Sequence, residues 1–294
     1  MFDVASSLTD RDRHVLRLIR WHRVLTTSQI HVMFFGDRNT AQHRMTRLHE
    51  LRLVERFRPR AGREGEYHYV LDVLGAYVVA AMANRDPDRD IKMRWRTDWA
   101  MSIATSQRLV HTVGANDLFV RLVAAARDRP DAELSTWWGE RYCSDRLGEV
   151  VRPDGLGVWH EGGTAVPFCL EYDRGSEQLS RLTKKAGDYA RLEVAWGVAF
   201  WLLVLVPGPR REVGARCALS GQGLAVAATT QAIAVRPTGA IWAPLGADGT
   251  RVRLAELADW PRPTESLARL TLAARYRQGD GRTRRPADDD GLAP

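Results

Sequence analysis

Acidic residues lie at two places where the sequence predicts that β-strands end. Asp154 closes a predicted strand, and Glu171 follows seventeen residues later in a second strand, predicted over 166–172. Side chains of a strand alternate between its two faces, so Glu171 and Asp173 should share one face. Carboxylate oxygens are the ligands that Mg²⁺ prefers, and a bound divalent ion activates water for phosphodiester hydrolysis. We therefore predict a Mg²⁺ or Mn²⁺ site with Asp154, Glu171 and Asp173 as ligands.

A lysine would complete this grouping. The acids resemble the PD-(D/E)xK nuclease fold, in which a lysine two residues after the second acid steadies the attacking water and the charge on the phosphate. In this chain Asp173 stands at that position. Lys185 lies on a helix predicted over 176–192, from which a long side chain can reach back over the strand ends. The candidate catalytic residues are therefore Asp154, Glu171, Asp173 and Lys185.

Two plainer interpretations of the same residues stay open. Lys184 and Lys185 are adjacent on an amphipathic helix, where lysines are usually solvated, and Asp173 has Arg174 beside it as an ion-pair partner. The catalytic interpretation requires the Lys185 amine to lie within about 8 Å of a carboxylate of the site, the reach of a water-bridged contact.

The sequence lacks the motifs of a zinc site, of an ATP-binding loop and of a tyrosine relaxase. The three cysteines are widely spaced, the eight histidines form no H-E-x-x-H motif, and no glycine pair is followed by Gly-Lys-Ser/Thr. The sequence thus disfavours zinc and ATP as cofactors. A relaxase that attaches to DNA through tyrosine needs metal-binding histidines beside that tyrosine, and neither Tyr172 nor Tyr189 has them.

The elements before this site predict a DNA-binding module. Short helices are expected to begin near Thr9, Thr27 and Asn39, followed by alternating strands at 53–58 and 66–71. Three helices and a hairpin are the pattern of a winged helix-turn-helix, whose third helix enters the DNA major groove.

The third helix is predicted to have one polar, basic face. Its polar residues recur at i, i+3, i+4 and i+7, opposite an apolar stripe, and an arginine there can fork onto guanine. Residues 1–72 hold 13 arginines and nine acidic residues, with several of the arginines in this helix and in the hairpin. A solvated face or a protein-contact module is the alternative. The predicted DNA-binding residues are Thr40, His43, Arg44, Arg47, Arg58, Arg60 and Arg63.

The second half of the chain alternates strands with helices, which predicts an α/β domain with a mixed sheet. The whole chain would then be α+β, with a winged helix-turn-helix at 1–90 and a restriction-endonuclease-like domain at 91–276. The stretch around Pro87 is the expected linker. Residues 277–294 are too polar to fold and are expected to form a disordered tail.

The composition describes a folded, basic chain. Of 294 residues 45% are hydrophobic, enough for one or two cores, and 43 Lys and Arg exceed 36 Asp and Glu to give a net charge of +7. A positive charge favours a polyanion as partner. The longest apolar run, residues 194–207, is too short for a membrane span, and the first residues lack the pattern of an export signal. We expect a cytoplasmic protein with no membrane contact.

Several motifs resemble the replication-relaxation family of actinobacterial plasmids and integrative elements. They are R-P-D-G, L-E-Y-D-R-G-S-E, K-A-G-D-Y and the strand W-L-L-V-L-V-P, and the resemblance covers roughly residues 8–235. It implies a protein that binds the duplex DNA of its own mobile element and nicks it. Replication or transfer proteins, and a second copy of the chain, are open as further partners.

Two alternatives to nicking remain at the level of sequence. One is a non-catalytic replication or transfer regulator whose nuclease-like domain kept the fold and lost the chemistry. The other is a transcriptional regulator that senses a small molecule, which would have a deep apolar pocket.

Overall fold

The computed structural model describes residues 7–59, 65–83 and 99–266. The predictions made for Arg60, Arg63, the linker around Pro87 and the tail at 277–294 lie outside these residues. Contacts divide the chain into two compact units, residues 1–120 and 121–294. The expected domain boundary near residue 90 also falls where the structure is not described.

The first unit combines helices with a small antiparallel sheet. Its strands lie side by side in the order Leu25–Thr26, His68–Leu71, Val54–Phe57, and each neighbouring pair is antiparallel. Three helices followed by a β-hairpin stand where the sequence predicts them. The elements are α1 (Asp10–His22), β1 (Leu25–Thr26), α2 (Thr27–Phe34), α3 (Arg38–Glu50), β2 (Val54–Phe57), β3 (His68–Leu71), α4 (Val73–Met82), α5 (Trp99–Ala104) and the first part of α6 (Leu109–Arg127).

Capping side chains set where these helices begin. In α1 the Thr9 side chain accepts from the Asp12 amide while the Asp12 carboxylate accepts from the Thr9 amide, a reciprocal capping box. The N-cap of α3 is Asp37, not the predicted Asn39, because the Asp37 carboxylate accepts from the Thr40 amide at 2.8 Å. An aspartate at this position satisfies an amide that the helix itself leaves unpaired.

Helix α6 begins within the first unit, although the sequence assigned it to the second domain. The Asn116 side chain donates to the carbonyls of His22 at 3.3 Å and Val24 at 3.2 Å. The Gln29 side chain donates to the Val113 carbonyl at 2.9 Å. Of the described helices, α6 is the one whose length and apolarity would suffice to cross a membrane. Core helices of folded proteins also have this composition.

The second unit is built on a mixed six-stranded sheet, which confirms the predicted fold class. Its strands lie side by side in chain order; the strands Thr164–Tyr172, Trp201–Val206 and Val226–Thr230 are parallel, and the other neighbouring pairs are antiparallel. The elements are β4 (Ala132–Gly139), α7 (Glu140–Leu147), β5 (Gly155–Glu161), β6 (Thr164–Tyr172), α8 (Leu179–Trp196), β7 (Trp201–Val206), α9 (Pro209–Leu219), β8 (Val226–Thr230), β9 (Ala243–Pro244) and a 3₁₀ turn (Ala255–Ala258).

Helices α8 and α9 pack against the sheet through an apolar core. This core includes Tyr189 and Leu192 of α8, Ala215 of α9, and Cys169 and Val204 of the strands. Both helices follow parallel strands, so their first turns lie at the edge where β6 and β7 end. The packing therefore brings the side chains of α8 over the last residues of β6.

Candidate functional site

Asp154 lies at the start of a strand, whereas the sequence predicted that it ends one. Strand β5 begins at Gly155, and it runs antiparallel to β6 with Gly155 opposite Leu170. The Asp154 amide donates to the Leu170 carbonyl at 3.0 Å, and Asp154 Oδ2 accepts from the Tyr172 amide at 2.8 Å. The start of one antiparallel strand meets the end of its neighbour, so Asp154 still lies beside Glu171.

Two residues of helix α8 hold the Glu171 carboxylate. Lys185 Nζ donates to Glu171 Oε1 at 2.8 Å and to Oε2 at 2.7 Å, and the Tyr189 hydroxyl also donates to Oε1. Lys185 and Tyr189 are four residues apart and so share a face of the helix. Glu171 is 6% exposed and Tyr189 is fully buried. The lysine therefore meets the distance that the catalytic interpretation required.

The electrostatics of this cluster reflect burial and two neighbouring acids. Burial, followed by the negative charge of Asp154, raises the pKa of Glu171 to about 7, against the opposing effect of Lys185. Burial lowers the pKa of Lys185, but the charges of Glu171 and Asp154 outweigh it and raise that pKa above its usual value. Lys185 therefore stays an ammonium ion at neutral pH.

The Asp173 side chain contacts Arg211 and the backbone of Gly175. Its Oδ2 accepts from Arg211 Nε at 2.6 Å, and its Oδ1 accepts from the Gly175 amide at 2.6 Å. Its carbonyl accepts from the Gln231 side chain at 2.8 Å. Arg211 also donates to the carbonyl of Glu177. Asp173 and Arg211 thus fix the loop between β6 and α8, and Arg211 is an ion-pair partner that the sequence did not predict.

The described residues contain no group of three or more His, Cys, Asp or Glu side chains arranged to hold a metal ion. Mg²⁺ does not need three, since it keeps several waters and is usually bound by one or two carboxylates together with substrate phosphates. Asp154 and Glu171 supply two carboxylates close enough for the first to raise the pKa of the second. Their donor chemistry fits such an ion, and the geometry gives Asp173 other partners.

In the first unit, the outer face of α3 carries three of the predicted DNA-binding residues. Thr40, His43 and Arg47 are exposed. The Thr40 hydroxyl donates to Asp37 at 3.1 Å, and Arg47 pairs with Glu50 at 3.1 Å in an ion pair whose side chains are both more than half exposed. Exposed pairs of this kind are worth little, so Arg47 can exchange its partner.

Arg44 lies on the inner side of the same helix. Its Nε donates to Asp12 Oδ1 at 2.8 Å and a second guanidinium nitrogen donates to Oδ2, a two-point contact with α1. Asp12 is 1% exposed. Although burial raises the pKa of Asp12, hydrogen bonds from Arg44 and Thr9 bring it below its usual value. Arg44 therefore joins α1 to α3.

Arg58 of the hairpin is exposed, as the sequence suggested. Two residues that the sequence did not predict, Arg56 and Tyr67, lie beside it. The guanidinium carbons of Arg56 and Arg58 lie 4.5 Å and 4.1 Å from the centre of the Tyr67 ring. The signal available in the sequence was the alternation of positions 56 and 58 along one strand face.

The fold and this site define a protein with a small helical unit and hairpin, joined to a mixed-sheet unit with a carboxylate–lysine cluster. The sequence pattern of the replication-relaxation family matches residues 16–198, more than half of the chain. The chain belongs to that family. None of the curated proteins compared with the chain matches it.

Proposed function

We propose that this protein binds the duplex DNA of a mobile element through its first unit and nicks one strand with its second. Family membership indicates a role in the replication or relaxation of mobile elements. The observation that carries the nicking proposal is the contact of Lys185 Nζ with both Glu171 oxygens, next to Asp154. It supports the acid–acid–lysine grouping of a nuclease-like site.

Each residue of the cluster has a role in this proposal. Asp154 and Glu171 would hold Mg²⁺ or Mn²⁺, which when bound supplies Lewis-acid activation of water and phosphate. Lys185 keeps a positive charge beside the carboxylates and stabilises the negative charge that builds on the reacting phosphate. Tyr189 orients Glu171 through its hydroxyl.

The first unit would bind DNA as a winged helix-turn-helix. Helix α3 presents Thr40, His43 and Arg47 to the major groove, and the hairpin carries arginines toward the DNA backbone. Arg58, Arg60 and Arg63 are the predicted hairpin contacts. Arg44 supports the position of α3 through Asp12 instead of contacting a base. The proposal places the protein in the cytoplasm, with the DNA.

A second candidate function is a DNA-binding regulator without catalysis. One observation favours it: Asp173 stands where the nuclease pattern has its lysine, and Arg211 and Gly175 hold it in the loop. This arrangement leaves two carboxylates in place of three. One pocket in the described part of the chain, beside Trp201 and Arg262, has a volume of about 240 Å³, below the roughly 300–1,000 Å³ of ligand sites, so this pocket does not support a small-molecule sensor.

The deciding experiment is conversion of supercoiled to open-circular plasmid that carries the origin of the element. We expect nicking in Mg²⁺ or Mn²⁺ that stops with chelator. Asp154→Asn and Glu171→Gln keep side-chain shape and remove charge, so each should abolish nicking and leave DNA affinity within a few fold. Asp145→Asn, at an exposed position of the same unit, is the matched control. No nicking by the wild type would favour the non-catalytic regulator. Nicking by both Asp154→Asn and Glu171→Gln would place the chemistry elsewhere in the protein.

A further inference from the structure

Two arginines of the first unit are held on one aromatic ring. Arg56 and Arg58 stand two residues apart on an extended chain, so their side chains leave the same face. Their guanidinium carbons are 4.5 Å and 4.1 Å from the centre of the Tyr67 ring, well inside the range of about 6 Å for a cation–π contact. The ring thus brings two positive charges close together.

Contacts of both backbone and ring fix the position of Tyr67. The Tyr67 backbone carbonyl accepts from the Thr27 amide at 3.0 Å and from the Thr27 hydroxyl at 3.3 Å, at the start of α2. The ring centre lies 6.3 Å from that of Tyr69, a residue only 1% exposed. The platform for the two arginines is therefore anchored to α2 and to the sheet.

The same cluster touches the helix that faces DNA in the proposed function. Arg56 Nη1 donates to the Thr46 hydroxyl of α3 at 3.3 Å. Arg58 is exposed. Among the described residues, no carboxylate forms an ion pair with Arg56 or Arg58, unlike Arg44 and Arg47. Two neighbouring cations that have no carboxylate ion-pair partner in the described part of the chain create a local positive potential that an anion can relieve.

We propose that Arg56 and Arg58 bind a phosphate of the duplex DNA backbone and that Tyr67 is the positioning residue that holds them ready. The inference rests on the proposed DNA binding of this unit, and it adds the Arg56 contact and the Tyr67 platform to the Arg58 contact already proposed. A guanidinium is planar, stacks on aromatic faces and matches phosphate oxygens with paired N–H groups. Stacking before DNA arrives means that less side-chain freedom is lost on binding.

The test uses the full chain and a labelled duplex from the origin of the element, with anisotropy measured over a series of salt concentrations. Arg56→Gln and Arg58→Gln should each weaken binding several fold and reduce the salt slope of log K by about 1, as expected for one lost phosphate contact. Arg127→Gln removes the same charge from an exposed position in the second unit and serves as the control.

The role of Tyr67 is tested with two variants. Tyr67→Phe keeps the stacking ring and should bind with the wild-type affinity and salt slope. Tyr67→Leu removes the ring and should weaken binding several fold with a smaller salt slope. Equal affinity and slope in the Leu variant, or wild-type slopes in both arginine variants, would overturn the inference.

The experiments distinguish failure of this inference from failure of the proposed function. If the wild type binds and Arg47→Ala weakens binding while the hairpin variants do not, only this inference is rejected. If the wild type binds no duplex at all, DNA binding and this inference are rejected together. Should Tyr67→Leu fail to fold, the two arginine variants and Tyr67→Phe still decide the result.

Discussion

Lys185 Nζ lies 2.8 Å from Oε1 and 2.7 Å from Oε2 of Glu171, although the two residues belong to different elements fourteen positions apart. The lysine comes from helix α8 and not from the strand that carries the acid. A cation therefore stands beside the second carboxylate even though Asp173 occupies the position that the nuclease pattern gives to lysine.

This contact predicts different behaviour for two adjacent lysines. Lys185→Ala should lower the nicking rate by about 10²-fold or more, because in the proposed mechanism it removes the positive charge beside the reacting phosphate. Lys184 is exposed, so Lys184→Ala removes the same charge at little cost to the rate. The measurement is the initial rate of open-circle formation at saturating Mg²⁺. Equal rates for the two variants would assign Lys185 a purely structural role.

Asp173 should matter for stability more than for catalysis. The side chains of Asp173 and Arg211 are 13% and 21% exposed, so each variant leaves a largely buried partner without its contact. We expect Asp173→Ala or Arg211→Ala to lower the free energy of unfolding by about 1–3 kcal/mol, as for other unsatisfied buried polar groups. Urea denaturation of both single variants and the double variant measures the coupling. Loss of Mg²⁺-dependent nicking in a folded Asp173→Asn variant would instead make Asp173 a metal ligand.

Arg44 and Arg47 should separate stability from DNA binding. Arg44→Ala leaves the buried Asp12 without its guanidinium, and we expect a loss of about 2–3 kcal/mol, since the arginine is itself partly exposed. Arg47→Ala should change stability by less than about 0.5 kcal/mol. It should weaken specific DNA binding by about 1–3 kcal/mol if the arginine reads a base. Urea denaturation and anisotropy at fixed salt measure the two effects. The reverse pattern would mean that α3 faces DNA with its other side.

Two helix glycines provide an opposed pair of stability variants. A Cβ at Gly75 would lie 1.9 Å from the Leu53 carbonyl oxygen, whereas a Cβ at Gly187 would meet none of the described atoms within 4 Å. Gly75→Ala should therefore lower the free energy of unfolding by about 3 kcal/mol or more, because backbone must move. Gly187→Ala should raise it by about 1 kcal/mol through helix propensity. Thermal unfolding of both variants is the check, and a lower Tm for Gly187→Ala would show that another part of the protein covers that face.

Much of the local structure could be predicted from neighbouring residues. The start of α1 at Thr9 follows from a capping box that spans three positions, and the alternation of apolar residues predicts β6 with Glu171 near its end. These signals act between residues that are close along the chain, so the elements that they specify are readable without the fold. The strand beside Asp154 was predicted to end at that residue, whereas β5 begins directly after it, because Pro153-Asp154 marks a strand boundary without showing on which side the strand lies.

The sequence by itself determined the three helices and the hairpin of the first unit, the strand that carries Glu171, the acidic residues of the cluster and the family motifs. Tertiary structure decided which charged groups meet. Asp12 and Arg44 are 32 positions apart, and Asp173 and Arg211 are 38 apart. Such pairs depend on how helices pack on one another and on the sheet, and arginines with similar local sequence separate into structural and exposed ones only once that packing exists. Packing also brings Lys185 to Glu171, through the apolar face that α8 buries against the sheet.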